Sequence, residues 1–313
     1  MIYRVVHKTI YHYGELVPLC HNVIHLQPRD TPTQVCQHCE LSIDPLPAVR
    51  RDLLDYFGNH MTWVSLQEPH EVLKIEAKSE VAVSAHEPPP PTSGPTWERA
   101  VEMIDHDLSL YLVKEYAFDS PQVAADPALA DYTRPSFGPG RSLLACVAEL
   151  NERIHQEFIF DSTATTVGTP VLEVLAHRRG VCQDFAHLGI GCLRSLGLAA
   201  RYVSGYVLTH PPPGKERLAG ADASHAWISV YVPEIGWVDF DPTNGVFPSG
   251  EHVTIGWARD YDEVSPLKGV IMGGHHQAMY FGVDVEPLVP IETPAAADGN
   301  GVAAVEGNGD SPQ

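Results

Sequence analysis

A run of four prolines, Pro88 to Pro91, followed by Ser93-Gly94-Pro95, separates two stretches whose apolar residues repeat with different periods. Proline fixes φ and donates no backbone hydrogen bond, so neither a helix nor a central strand passes through such a run. Before it, alternating runs cover residues 2–13, 23–27, 35–43, 60–66 and 72–83, with Pro28, Asp30, Pro45, Pro47, Gly58-Asn59 and Pro69 between them. Alternation broken by turn residues predicts a small antiparallel β-sandwich over residues 1–86, joined by a semi-rigid linker over 87–95 to a second half.

Beyond the linker the period becomes helical. Thr96 is a cap before Trp97-Glu98-Arg99, and Leu143, Leu144, Val147, Leu150 and Ile154 mark one face of a helix over 142–157. Residues 170–177 and 182–196 read as two further helices, the last with Val181, Phe185, Leu188, Cys192 and Leu196 on one side and Gly197 closing it. Strands follow at 201–208, 226–232, 237–240, 269–272 and 278–285. The expected architecture is α+β, with helices packed on an antiparallel sheet over 96–292 and a disordered tail over 293–313.

With 40 acidic against 20 basic residues the net charge is −20, which disfavours extended contact with nucleic acid or an anionic membrane. No apolar run approaches the roughly 20 residues of a membrane span. The N-terminal MIYRVVHKTIYHYG alternates and lacks the basic start and apolar block of a leader, so a cytoplasmic location is expected. Six cysteines, scattered through 313 residues, are expected to be reduced thiols.

Three short stretches carry chemistry: GVCQDFAH at 180–187, SHAW at 224–227 and FDPTNG at 240–245. They present Cys182, His225 and Asp241, the residue types of a thiol acyl-transfer site. A thiol attacks carbonyls as thiolate, so it needs a base within hydrogen-bond reach and a third group to orient that base. Gly180 frees the backbone before Cys182, which falls in the first turn of a predicted helix, where unpaired N–H groups and the helix dipole favour an anion. The same N–H groups suit the oxyanion of a tetrahedral intermediate, and Arg178 and Arg179 add positive charge.

Alternation places His225, Trp227, Ser229 and Tyr231 on one face of a strand, and Pro233-Glu234-Ile235-Gly236 turns the chain. If the next strand returns as a hairpin, a register setting Trp227 opposite Asp241 makes His225 a diagonal neighbour of that carboxylate, within reach of a His–Asp contact.

Over these motifs the chain resembles the bacterial transglutaminase-like proteins of the papain-like cysteine superfamily. The resemblance runs through RRGVCQDFAHLGIGCLRSLGLAARYVSGYV at 178–207, HAWISVYVPEIGWVDFDPTNG at 225–245 and GWARDYDEVSPLKGV at 256–270. It extends to Leu26-Gln27-Pro28-Arg29, Asp55-Tyr56-Phe57-Gly58-Asn59 and Pro69-His70, which are similar to that family's companion β-sandwich. The resemblance implies Cys182 as nucleophile, His225 as general base and Asp241 as orienting acid, with a peptide or protein as substrate and no cofactor or metal. Members of the superfamily include cross-linkers, peptidases, amidases and deglycosylating enzymes, all proceeding through an acyl-enzyme.

Other residues have plainer readings. Cys36-Gln37-His38-Cys39 looks like half a zinc site, with His21 and His25 as possible partners. In a regular strand, however, residues three apart face opposite ways, which argues against one metal. Asp184 and His187 lie on the helix of Cys182 and carry no assigned role. Gly273-Gly274-His275-His276 reads as a loop, and Trp227 and Trp237 as core residues. The expected function is a cysteine protease or amidase working through a thioester, with protein-glutamine γ-glutamyltransferase as the alternative and a non-catalytic binding or scaffold protein as the third possibility.

Overall fold

The computed structural model describes residues 1–210, 224–274 and 276–288. Its N-terminal strands are β1 (Ile2–Val17), β2 (Leu19–Ile24), β3 (Gln34–Asp44), β4 (Val49–Leu54), β5 (His60–Leu66) and β6 (His70–Val83). Strand β4 leaves no apolar alternation in the sequence, because all but its first residue are exposed on both faces. The tail expected over 293–313 lies outside the described residues.

The second half contains helices α1 (Trp97–His106), α2 (Tyr111–Lys114), α3 (Pro127–Thr133), α4 (Leu143–Glu157), α5 (Val171–His177) and α6 (Cys182–Arg194). Its strands are the two-residue pair β7 (Ile159–Phe160) and β8 (Arg179–Gly180), then β9 (Ala200–Val207), β10 (Ser224–Val232), β11 (Gly236–Phe240) and β12 (His252–Ala258). These last four form an antiparallel sheet in the order β11-β10-β9-β12. The α+β architecture with helices against an antiparallel sheet is therefore as expected. Thr96 caps α1 by accepting from Arg99 N–H at 3.3 Å. Phe185, Leu188 and Cys192 of α6 share a buried core with Ala226, Ile228 and Val230 of β10.

The last two strands correct the domain boundary. β13 (Leu267–Met272) and β14 (Gln277–Pro287) were expected to belong to the second half, over 96–292, yet β13 pairs with β2 and β14 with β1. The sandwich thus consists of sheets β14-β1-β6-β3 and β13-β2-β5-β4, and one edge strand of each sheet comes from beyond the second half's own sheet. Alternation identifies a strand without saying which open edge it will join.

The two halves also share a core. Tyr3, Val5, Val81, Val83, Val283 and Val285 of the sandwich pack with Tyr206, Leu208, Val253 and Ile255 of the second half. Beside them His7 Nδ1 bonds the Tyr206 hydroxyl at 2.8 Å. Arg29 stacks on Trp257 at 3.4 Å, while Arg201 lies 3.7 Å from that indole and 4.2 Å from Trp237. The linker and the residue before it are pinned as well, with Leu143 N–H donating to the Pro95 carbonyl and His86 N–H to Ser249 Oγ. Among the described residues no helix is long and apolar enough to cross a membrane.

A shared core predicts shared unfolding. Ile255→Ala is expected to cost about 2–4 kcal/mol, and urea denaturation followed by far-UV dichroism and tryptophan fluorescence is expected to give one coincident transition. Two separated transitions would show that the halves unfold independently.

Candidate active site

Cys182 is the first residue of α6, half-buried, with Val181 in extended backbone as the N-cap. The loop before it is organised by Asp184, a buried side chain whose Oδ2 accepts from Val181 N–H at 2.8 Å and from Thr165 Oγ1 at 2.6 Å. Burial pushes the Asp184 carboxyl up, against the opposing effect of those two donors. Gly180 is needed for space: a Cβ there would lie 2.6 Å from Asp184 Oδ2. Arg178 and Arg179, expected to add positive charge nearby, are paired with Glu157 at 3.0 Å and Asp161 at 3.4 Å.

The hairpin of β10 and β11 has the register that brings His225 to Asp241. Ser229 pairs with Asp239 and Ile228 with Phe240, so the next step sets Trp227 opposite Asp241. His225 Nε2 lies 2.7 Å from Asp241 Oδ2. Cys182 lies close enough to the imidazole to influence its protonation. Burial works against the imidazolium, but the hydrogen bonds and charges of Asp241 and Cys182 outweigh it and push His225 up to about 10. Asp241, 0 % exposed, is opposed by burial yet held well below the usual carboxylate range by His225, His252 and Asn244.

The structure therefore brings Cys182, His225 and Asp241 together and adds residues not anticipated from sequence. Asp241 Oδ2 also accepts from Asn244 Nδ2 at 2.7 Å and lies 3.1 Å from His252 Nε2, while Oδ1 accepts from the backbone N–H groups of Thr243 and Asn244. Asn244 stands in the FDPTNG motif itself, where an Asp followed by Asn in a turn was a usable signal. His252 starts β12, which the alternation of Val253, Ile255 and Trp257 could have revealed. Nothing in its local sequence distinguishes His252 among 17 histidines.

The remaining candidates fall elsewhere. His187 accepts from Tyr261 N–H at 3.2 Å, and burial pulls it down to about 4, so it is a neutral bolt between α6 and the loop after β12. Trp227 is fully buried and donates to Asp239 at 3.0 Å, and Trp237 packs edge-on against Tyr116. A β-bulge between Cys36 and His38 sets Cys36 opposite Val81 and Cys39 opposite Ser79, so the two cysteines share a face after all. They still do not gather with the two histidines: His25 Nδ1 lies 3.1 Å from the Ser265 carbonyl, and His21 stacks on Trp63. Burial pushes Cys39 up to about 12, which disfavours a metal-binding thiolate. Gly273, Gly274 and His276 lie between β13 and β14, outside any strand, and His275 lies outside the described residues.

His225, Asp241 and His252 place ligand atoms within 4.8 Å of one another, a spacing a cation can bridge. Both imidazoles are already turned onto the carboxylate, so a cation would have to displace the N–H protons that satisfy it.

A thiol at a helix start, facing an imidazole and buried carboxylate on an antiparallel sheet, is the architecture of the papain-like cysteine enzymes. The comparisons narrow this class. The Bacterial transglutaminase-like N-terminal region matches residues 3–82 and the Transglutaminase-like superfamily matches residues 131–242. An uncharacterized protein of Mycobacterium tuberculosis is 42% identical over 297 residues, covering 91% of this chain and 93% of that protein. A protein-glutamine gamma-glutamyltransferase of Pseudomonas aeruginosa is 31% identical over 124 residues, covering 39% of this chain and 18% of that protein. A solved structure from Cytophaga hutchinsonii, described as a candidate cysteine protease, superposes with a TM-score of 0.72 at 19% identity and covers 94% of this chain and 93% of its own. The chain belongs to the transglutaminase-like superfamily, with its bacterial N-terminal companion region.

The raised His225 value has a defined sign in stability. A group whose folded value, about 10, exceeds its ordinary 6.5 contributes fully below pH 6.5 and loses that contribution as pH climbs to about 10. The stability difference between wild type and His225→Gln, measured by urea denaturation, is expected to be at its full value at and below pH 6.5 and to shrink steadily toward pH 10. A difference that grows with pH over this range contradicts the assignment.

Proposed function

We propose that this protein is a thiol enzyme acting on amide or peptide carbonyls, with Cys182 as nucleophile, His225 as general base and acid, and Asp241 as the group orienting His225. The observation that carries this reading is the 2.7 Å contact of the buried His225–Asp241 pair, with Cys182 near enough to act on the imidazole. Cys182 Sγ adds to the carbonyl carbon, and the backbone N–H groups at the start of α6 receive the oxyanion. The C–N bond then breaks, His225 gives its proton to the departing amine, and a thioester remains. An incoming nucleophile passes a proton to His225, adds to the thioester and releases Cys182.

Water is the favoured acceptor, because Cys182 is only half-buried and its thioester is open to solvent. The protein is then a cysteine protease or amidase with a peptide or protein substrate. A second reading, transfer of a glutamine acyl group to an amine, is supported by the 31% identity to the Pseudomonas glutamyltransferase over 124 residues.

Incubation of the protein with a peptide library, with and without an added primary amine, separates the two by mass spectrometry. New peptide termini are expected for hydrolysis; ammonia release with amine incorporation marks transfer. Cys182→Ala is expected to lower either product by at least about a thousandfold. Equal product from Cys182→Ala and wild type would refute the thiol mechanism.

A further inference from the structure

We propose that His252 is a positioning residue for the Asp241–His225 pair, and that the β-sandwich holds it in place through Gln34 and Asn59. This rests on the reading of Cys182 and His225 as nucleophile and base.

Ionised Asp241 can only accept hydrogen bonds, so His252 Nε2, 3.1 Å from Oδ2, must carry the proton and donate it. Oδ2 thus has three donors, His225, His252 and Asn244, and its direction relative to the His225 ring is set by the other two. The two imidazoles arrive from opposite edges of β9, where His225 pairs with Gly205 and His252 with Val207. Trp227 fills the space between them, 5.2 Å edge-on from His252 and 6.0 Å from His225. Its ring occupies the place a side chain at position 205 would take, since a Cβ there would fall 2.5 Å from the indole. The His252 side chain is 9% exposed, so its ring has little freedom to leave this arrangement.

Strand β12 is an edge of its sheet, and its register shifts between Thr254 and Gly256, so pairing with β9 alone holds it weakly. Two side-chain amides from the sandwich bond its free edge. Gln34 Nε2 donates to the Thr254 carbonyl at 2.7 Å, and Thr254 N–H donates back to Gln34 Oε1 at 2.8 Å. Asn59 does the same at Trp257, with bonds of 2.8 and 2.9 Å, and is itself held by Arg29 and Asp55. Each amide presents one donor and one acceptor to the edge, as a neighbouring strand would. Thr254 and Trp257, the residues held in this way, lie two and five residues after His252 on β12, so the sandwich governs where His252 sits.

The test is site-resolved alkylation of Cys182 by iodoacetamide, read by peptide mass spectrometry at neutral pH, which needs no substrate. His252→Leu, which keeps bulk and removes the donor, is expected to slow Cys182 about tenfold. His252→Gln, which returns an N–H donor, is expected to stay within about threefold of wild type. Thermal melting of both variants controls for packing, since a purely structural role predicts equal loss of rate in the two. Unchanged reactivity in His252→Leu, or equal slowing in His252→Gln, overturns the proposal. Gln34→Met tests the strand from a distance: a fall of about threefold is expected, and an unchanged rate removes the sandwich from it. Wild-type Cys182 reacting no faster than free cysteine, or unaffected by His225→Gln, would instead fell the thiol mechanism itself, and the role of His252 with it.

Discussion

The Asp241 carboxylate is completely buried, and an ionised group taken out of water costs several kcal/mol unless its lone pairs are met by donors. Here they are met from three directions. His225 comes from β10 and His252 from β12, while Thr243 and Asn244 come from the turn that follows Asp241. The turn is tied to α4 by His155, whose Nδ1 lies 2.9 Å from the Thr243 carbonyl. Strand order, hairpin register and helix placement all have to be correct for this one charge to be tolerated. The same donors hold His225 near Cys182.

Two buried histidines illustrate how environment sets protonation. His225 is pushed up to about 10 by a carboxylate and a thiol that outweigh burial, whereas burial pulls His187 down to about 4 with Arg194 opposing its charge. One ring is built to hold a proton, the other to accept a backbone N–H from Tyr261. Both lie within a few turns of the same helix or its neighbouring sheet, so proximity alone does not tell their roles apart.

The β-sandwich is bound into the second half more closely than a proline linker suggests. It covers one face of the central sheet with Tyr3, Val5, Val81 and Val83, stacks Arg29 on Trp257 and bonds the free edge of β12. In return the chain beyond the sheet supplies β13 and β14 to the sandwich. Neither half has a complete set of strands and packed faces without the other.

Much of the architecture was legible because it is local. The helical period placed α4 and α6, the cap at Thr96 marked α1, and the parity of β10 and β11 put His225, Trp227, Asp239 and Asp241 on one face. What the tertiary structure decided was long-range. A bulge after Cys36 turned Cys39 onto the same face, an exposed β4 left no alternation to read, and β13 and β14 joined edges more than 200 residues away in sequence. His252 belongs to the same class, since its partner is chosen by which buried acceptor needs a donor. Periodicity encodes which side of an element is apolar; it does not encode which distant edge or charge that element must satisfy, and only the folded chain resolves that.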